Sequence, residues 1–198
     1  MDIKIVEETD DYIRFDIKNG SVGFANLLRR IVLGQVKSFA IDKITIYENT
    51  SQYFDEFVAH RIGLVPLATP DKYKGTEAVV FTLDVMGPKR IYSGDLKFTD
   101  PSIKPVYSNM PLFDISENSS LRMEGVAVLG NGRVHAKYQP GAASYTIDDK
   151  DEGLIHFYVE TYHQTSVRSM LKRAIKEITE RYKYIDENID SVLEPEVK

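Results

Sequence analysis

The fold is decided by one stretch of the chain, residues 23–67, which reads GFANLLRRIVLGQVKSFAIDKITIYENTSQYFDEFVAHRIGLVPL. Its pattern predicts a helix, a strand, a short helix and then a brief strand over residues 64–67. In the first helix four apolar side chains recur at i, i+3, i+4 and i+7: Phe24, Leu27, Leu28 and Ile31. They form one apolar stripe, with Arg29 and Arg30 beside its centre. No nucleophile, metal cage or phosphate loop can be assembled from this stretch.

Both predicted helices have recognisable ends. Ser21 is predicted as the N-cap of the first helix and Gly34 as its end, because serine accepts hydrogen bonds from N-terminal amides and glycine favours helix C-termini. Asp55 and Gly63 are predicted in the same roles for the second helix.

The strand between these helices changes phase. Phe39 and Ile41 alternate on one face, whereas Ile44 and Ile46 alternate on the other. A β-bulge or a change of sheet would explain the shift. We predict that the chain passes here from one domain into another.

The two ends of the chain carry strands and a long helix. Five apolar residues predict an amino-terminal hairpin with one buried face: Ile3, Ile5, Ile13, Phe15 and Ile17. Residues 154–162 are apolar on both phases, which predicts a strand covered on both faces. Thr165 or Ser166 then caps a helix of roughly 25 residues, or about 37 Å, which is long enough to overhang a small domain or to meet a partner. Its apolar residues keep helical spacing and include Met170, Leu171, Ile175 and Ile178.

The middle of the chain, residues 69–151, differs in character. Turn-rich segments separate short β-type runs, which are Ala78–Val85, Arg90–Ser93, Leu112–Ile115, Leu121–Leu129 and Val134–Tyr138. We therefore predict an α+β chain. A discontinuous domain of residues 1–40 and 152–198, with an antiparallel sheet and two packed helices, is interrupted by a mostly β insert domain of residues 41–151.

Composition excludes several classes of protein. The chain has no cysteine, which rules out disulfides and thiolate metal sites and favours a reducing compartment. Its net charge of -5 argues against sequence-independent binding of DNA or RNA. The acidic start and the lack of a long apolar run indicate neither a signal peptide nor a membrane helix, so we expect a cytoplasmic protein.

Three arrangements outside the stripe could carry chemistry. Glu56 and His60 are one helical turn apart, but two ligands do not make a metal site. Residues 130–135, GNGRVH, begin like a dinucleotide loop but have histidine where the third glycine belongs, so a turn is favoured. Strand alternation would place His135 and Lys137 on one face, where they could act as an acid–base pair or simply decorate a surface.

Four ordered blocks of the sequence carry a family resemblance: residues 26–31, NLLRRI; residues 40–42, AID; residues 48–51, ENTS; and residues 55–67, DEFVAHRIGLVPL. They closely resemble the D subunit of archaeal RNA polymerase, a relative of the third-largest eukaryotic polymerase II subunit and of the amino-terminal part of the bacterial α subunit. Residues 132–138, GRVHAKY, resemble a second segment of that family.

The resemblance implies a discontinuous, α-subunit-like dimerisation domain with an insert domain, and a scaffold without catalytic residues of its own. In that family the catalytic aspartates and magnesium reside in the largest subunit. The first and last helices pair with subunit L, to which the resemblance assigns Phe24, Leu27, Leu28, Ile31, Met170, Leu171, Ile175 and Ile178. The heterodimer is the platform for the large subunits and for small subunits N and P. Arg29 and Arg30 would face the second-largest subunit.

The sequence departs from many archaeal relatives at one point. They carry a ferredoxin-like segment with cysteines, in some cases holding an iron–sulfur cluster, before the last strand. Here only fifteen residues separate Tyr138 from Leu154, and the chain has no cysteine. We therefore expect a short form without a cluster or any other cofactor. The alternative hypothesis is a small independent enzyme with a site around His135 and Lys137.

Overall fold

The computed structural model describes residues 1–71, 73, 78–151 and 153–193. Its strands are β1 Asp2–Glu8, β2 Tyr12–Lys18, β3 Lys37–Asn49, β4 Ala78–Met86, β5 Lys89–Tyr92, β6 Lys97–Phe98, β7 Pro111–Ile115, β8 Ser120–Asn131, β9 Gly141–Ile147 and β10 Leu154–Thr161. Its α-helices are α1 Val22–Gly34, α2 Asp55–Gly63 and α3 Val167–Leu193. Short 3-10 helices occupy Ser93–Asp95 and Ala136–Tyr138. The α+β class predicted from the sequence is confirmed.

Strands from both ends of the chain form one four-stranded antiparallel sheet in the order β1, β2, β10, β9. We call it the terminal sheet. Its inner strands bury alternate side chains on one face: Ile13, Phe15, Ile17, Ile155, Phe157 and Val159. The rings of Phe15 and Phe157 stack there with centroids 5.1 Å apart. The sequence predicts that β10 is covered on both faces; one face is buried and the other is only half-buried.

The predicted amino-terminal hairpin is confirmed, with a difference in burial. Strand β1 pairs with β2 but lies at the edge of the terminal sheet. Every residue of β1 is exposed, including Ile3 and Ile5. The buried face predicted for the hairpin therefore exists only on β2.

Helices α1 and α3 cover the buried face of the terminal sheet. The Ser21 hydroxyl accepts a hydrogen bond from the Phe24 amide at 3.1 Å, and α1 ends at Gly34, as predicted. The Ser166 hydroxyl accepts from the Ser169 amide at 3.3 Å, which identifies Ser166 as the cap of α3. The helices contribute Ala25, Leu28, Ile31, Val32, Val167, Met170 and Ala174 to the core. Each large apolar side chain buried in this way contributes about 1.5–3 kcal/mol.

The phase change in β3 is a bulge. Strand β3 pairs with β8 along its whole length, and its register shifts between Ile41 and Lys43. Both halves of the strand therefore belong to one sheet. Val36, just before the strand, packs in the terminal core, whereas Phe39 packs in the second core. The chain therefore changes core between Val36 and Phe39, before the bulge at which the sequence predicts the crossing.

The insert is built on a second antiparallel sheet in the order β3, β8, β4, β6, with β5 and β7 forming a separate pair. Its core includes Phe39, Val58, Ile62, Phe81, Leu83, Leu121 and Met123. Gly125 of β8 lies against the ring of Phe81, because a Cβ atom there would approach Phe81 Cε1 to 2.3 Å. A side chain at position 125 would therefore displace the ring.

Two strand predictions fail in the segment that leads back to the terminal sheet. The strand predicted over Val134–Tyr138 is a turn followed by a 3-10 helix. Strand β9, which was predicted as a turn-rich part of the insert, pairs with β10 in the terminal sheet. Strand β9 therefore belongs to the terminal sheet, although it lies within the insert of residues 41–151 predicted from the sequence. The sequence does not predict β9 because residues 139–144, QPGAAS, contain glycine, proline and small side chains. Strand propensity depends on large and β-branched side chains.

Two smaller predictions around α2 also change. Asp55 is the first residue of α2 rather than its cap; Phe54 precedes it without a side-chain cap bond. The Asp55 carboxylate instead accepts from the Asn49 amide nitrogen at 2.7 Å. The brief strand predicted after α2 is reduced to an isolated bridge between Leu67 and Pro105.

Candidate interaction surfaces

The apolar stripe predicted on α1 divides between core and surface. Leu28 is 3% exposed and Ile31 is 5% exposed, so both are packed within the chain itself. Phe24 is half-buried. Leu27 is 44% exposed. Of the four, Leu27 offers the most apolar surface to another protein.

The two halves of helix α3 differ in burial. Met170 is buried, and Leu171 and Ile178 are half-buried against the terminal core. Ile175 is 45% exposed. Beyond the core the helix continues with large exposed side chains, which are Tyr182, Tyr184, Ile185 and Ile189. Residues 179–187 are all exposed, so this half of α3 overhangs the terminal unit, as its length predicts.

Two charged pairs lie on the surface of α3 where the overhang begins. The ion pairs predicted at i,i+4 are present, Lys176–Glu180 at 3.5 Å and Glu177–Arg181 at 3.1 Å. Such exposed pairs contribute only about 0.3–0.5 kcal/mol each. Among the described residues, nothing covers the exposed apolar side chains of this part of the helix.

The two adjacent arginines of α1 have different surroundings. Arg29 is half-buried and donates from Nη2 to the side-chain oxygen of Asn26 at 3.0 Å. Arg30 is exposed and, together with Arg133 and Arg181, lines a cleft that runs along one face of the helix. The sequence did not distinguish the two arginines, and no local signal linked Arg30 to Arg133.

His135 and Lys137 are both engaged in contacts within the chain. His135 Nδ1 accepts from the Lys137 amide at 3.0 Å and caps the 3-10 helix. The Lys137 ammonium donates to the Ile41 carbonyl at 2.9 Å and to the Asp42 carboxylate at 3.1 Å. These bonds fasten the 3-10 helix to the bulge of β3. They do not form the exposed acid–base pair that strand alternation would produce.

The ionisable groups around Lys137 shift accordingly. The hydrogen bond from Lys137 is the largest of the effects that lower the pKa of Asp42. Burial, with a further contribution from Asp42, raises the pKa of Tyr138 to about 12. At neutral pH the Asp42 carboxylate is therefore ionised and the Tyr138 hydroxyl is neutral.

Sequence reasoning missed one histidine on the open face of the terminal sheet. His156 Nδ1 lies 2.7 Å from an Asp16 oxygen, and Nε2 lies 3.4 Å from an Asp148 oxygen. The bond with Asp16, followed by that with Asp148, raises the pKa of His156. Asp16 is 140 residues away in sequence, so no short motif could connect the two.

Metal and membrane sites receive no support. Glu56 and His60 lie on α2, and no group of three histidine, aspartate or glutamate side chains suited to a metal ion occurs among the described residues. Within the same residues, no helix is long and apolar enough to cross a membrane.

The described surface combines two features. Exposed apolar side chains lie on two neighbouring helices, and a cleft lined by arginines lies beside them. Exposed apolar patches are typical of surfaces that contact other proteins.

Comparison with known proteins gives the family. The sequence model described as the RNA polymerase Rpb3/RpoA insert domain matches residues 43–148. The chain belongs to this family. The matched range begins at the bulge of β3 and runs through the second sheet and β9.

Three similar proteins carry the name DNA-directed RNA polymerase subunit Rpo3. That of Pyrococcus furiosus is 42% identical over 152 residues, covering 73% of this chain and 58% of the relative. That of Halobacterium salinarum is 42% identical over 142 residues, covering 72% and 57%. That of Methanothermobacter thermautotrophicus is 39% identical over 158 residues, covering 72% and 60%. This chain therefore spans about three fifths of the length of the curated relatives it matches.

Proposed function

We propose that this chain is a non-catalytic assembly subunit of an archaeal DNA-directed RNA polymerase. The observation that carries the proposal is the pairing of family membership with uncovered apolar surface on α1 and α3. The family consists of polymerase subunits, which function in a complex with other chains. The exposed apolar side chains would be covered by a partner in such a complex. Exposed apolar surface of this kind is typical of protein–protein contact.

The proposed first partner is subunit L, bound through α1 and α3. The exposed fraction of each side chain shows which of the residues predicted for this contact another chain can reach. Leu27 and Ile175 head this set, Leu171 and Ile178 contribute partly, and the exposed residues of the α3 overhang extend it. Leu28, Ile31 and Met170 act instead by fixing the two helices on the sheet that presents the surface.

The heterodimer is proposed as the platform for the large catalytic subunits and for small subunits N and P. Arg30, exposed on α1 about one turn before its end, is the candidate contact for the second-largest subunit. Arg29 is a weaker candidate because its guanidinium already bonds Asn26. We expect no direct contact with DNA or RNA, since the chain carries a net charge of -5.

We further propose that the chain is a cytoplasmic short form without a cofactor. Only fifteen residues lie between Tyr138 and Leu154, and they include β9, which leaves little room for an additional segment before the last strand. The lack of cysteine removes the thiolate ligands of an iron–sulfur cluster from this chain. The alternative of a small enzyme around His135 and Lys137 has no supporting observation, because both side chains serve internal bonds.

Copurification tests the proposal. The chain would be tagged in its native source and isolated at moderate salt, and the copurifying proteins would be identified by mass spectrometry. We expect the large polymerase subunits and subunit L in constant ratio with the tagged chain. Recovery of the tagged chain without any polymerase subunit would refute the proposed function.

A further inference from the structure

The two parts of the chain have separate cores. One core, which we call that of the terminal unit, lies between the terminal sheet and helices α1 and α3. The other lies in the insert, where α2 packs with the second sheet. Among the described residues, no buried apolar side chain belongs to both cores. The chain passes between the two parts at residues 36–39 and returns at residues 138–141, where β9 begins.

These two crossings lie side by side, because the Ser38 hydroxyl donates to the Tyr138 carbonyl at 2.6 Å. Parts of a chain that share no large apolar interface commonly move relative to each other. A few residues at the ends of helices or strands are enough to act as a hinge. A fixed relation between the insert and the terminal unit therefore requires a contact beyond the crossings.

Residues 69–71 supply such a contact, and we call them the bridging segment. The segment follows directly from the insert, where the Ala68 amide donates to the Lys104 carbonyl at 2.8 Å. The Thr69 amide donates to the carbonyl of Gln164, in the turn between β10 and α3, at 2.6 Å. The bridging segment is thus bonded to the terminal unit within two residues of its attachment to the insert.

Arg173 of α3 is the main side chain in this contact. Its Nη1 donates to the Lys37 carbonyl, at the first crossing, at 3.2 Å. Its Nη2 donates to the Pro70 carbonyl at 2.9 Å and lies 3.3 Å from the Asp71 carboxylate. The Arg173 side chain is 23% exposed, and burial lowers its pKa while Asp71 acts in the opposite direction. One guanidinium group therefore joins α3 to both the crossing and the bridging segment.

Asp71 is bonded to α3 at two further points. Its carboxylate accepts from the Thr165 hydroxyl at 3.3 Å and from the Ser169 hydroxyl at 2.6 Å. A simpler explanation is that Asp71 only stabilises the start of α3, where the helix dipole favours a negative charge. That explanation does not account for Arg173, which lies six residues beyond the first residue of α3 and reaches the Lys37 carbonyl.

We propose that Arg173 and the bridging segment form a conformational lock that fixes the orientation of the insert relative to the terminal unit. With the lock closed, both parts present their surfaces in one arrangement. With the lock open, the two adjacent crossings act as a hinge. The proposal goes beyond the proposed function, because it concerns the chain by itself and needs no partner.

The test is the distance between two spin labels, one on each part, measured by pulsed electron paramagnetic resonance. The chain contains no cysteine, so Lys18→Cys and Met86→Cys provide unique labelling sites. Both positions are exposed and lie at the ends of β2 and β4. We expect one narrow distance distribution. Arg173→Met should broaden it or shift its maximum by more than about 2 Å, the scale of a domain rearrangement.

Arg168→Met is the matched control. It removes the same charge from the same helix, but Arg168 pairs with Glu8 of β1, inside the terminal unit. We expect its distance distribution to equal that of the wild type. Asp71→Ala removes an exposed side chain and leaves the carbonyl contacts of Arg173 in place, so it should broaden the distribution less than Arg173→Met. It also keeps the proposal testable if Arg173→Met fails to fold, which circular dichroism would show.

Hydrogen exchange at the Thr69 amide gives a second measurement. Its bond to the Gln164 carbonyl crosses between the two parts, so opening of the lock exposes it. Arg173→Met should speed this exchange by about tenfold or more, because hydrogen bonds to a charged group are lost. Amides of β8, an inner strand of the second sheet, should exchange as in the wild type. A general loss of stability would instead speed both.

Three results would overturn the lock. The first is a distance distribution and a Thr69 exchange rate that stay unchanged in both Arg173→Met and Asp71→Ala. The second is a wild-type distribution already as broad as that of Arg173→Met. The third is equal broadening in Arg168→Met. The labels report on the full chain without partners, so a failure to copurify polymerase subunits would refute the proposed function and leave the lock standing.

Discussion

Neighbouring leucines on α1 give the sharpest test of how core and contact surface divide. Leu28 is 3% exposed and packs against the terminal sheet, whereas Leu27, one residue earlier, is 44% exposed. Truncating a buried leucine to alanine costs about 2–5 kcal/mol, because transfer energy is lost and a cavity remains. Truncating the half-exposed Leu27 should cost less than about 1 kcal/mol in the isolated chain.

The assay is thermal unfolding of the isolated chain followed by far-ultraviolet circular dichroism. For a protein of this size, each kcal/mol lowers the melting temperature by about 2–4 °C, so Leu28→Ala should lower it by roughly 4–20 °C. Leu27→Ala should shift it by no more than about 4 °C. Binding to subunit L should depend on Leu27 instead. Leu27→Asp should keep the fold but lose binding to subunit L, because it places a charge in the contact.

Two results would contradict this division. If Leu27→Ala melts as early as Leu28→Ala, Leu27 is part of the core. If Leu28→Ala melts with the wild type, the stripe of α1 is not packed on the terminal sheet. Leu28→Asp should fail to form the heterodimer through unfolding of the terminal unit, which circular dichroism of the isolated variant distinguishes from a local loss of contact.

Three further predictions concern His156 in the terminal sheet, and Lys137 and Gly125 in the insert. The raised pKa of His156 stabilises the folded protein fully below the ordinary histidine pKa of about 6.5, and this contribution is lost as the pH rises through the raised value. The urea midpoint should therefore fall between pH 6 and pH 9 by more in the wild type than in His156→Gln; equal falls would contradict this. Lys137→Met should destabilise the insert by about 1–3 kcal/mol in urea titration, because the Ile41 carbonyl and Asp42 lose their donor. An unchanged midpoint would show that these bonds are not needed. Gly125→Ala should lower the melting temperature of the insert, since its Cβ atom would meet the Phe81 ring at 2.3 Å; an unaltered melting curve would mean that the ring has room to move.

Features with a local cause were predictable from the sequence. Ser21 and Gly34 end α1 as expected, because a cap is decided by residues within one helical turn. The bulge after Ile41 was visible as a change of phase in the apolar alternation. The i,i+4 ion pairs of α3 follow from helical spacing alone.

Features that depend on distant residues were not predictable in this way. The apolar pattern of α1 does not say that Leu28 is covered by the chain's own sheet while Leu27 is left exposed. Strand β9 consists largely of small residues and forms because β10 offers an edge for pairing. The contact of His156 with Asp16 arises only when β2 and β10 become neighbours.

The cleft lined by Arg30, Arg133 and Arg181 is the clearest case of this kind. Arg30 and Arg133 are brought together by the docking of a turn on the end of α1, through one backbone hydrogen bond and one glycine. The sequence singled out Arg29 and Arg30 as a pair, and the same geometry separates them. Arg29 serves a bond within its helix, and Arg30 is left for a partner.

The central claim is that α1 and α3 form a docking surface for subunit L in a polymerase platform. The most direct measurement is the molar mass of the co-expressed chains, determined by light scattering during size exclusion. We expect a complex of one copy of this chain with one copy of subunit L, and we expect Leu27→Asp to abolish it. A chain that elutes as a stable monomer in the presence of excess subunit L would contradict it.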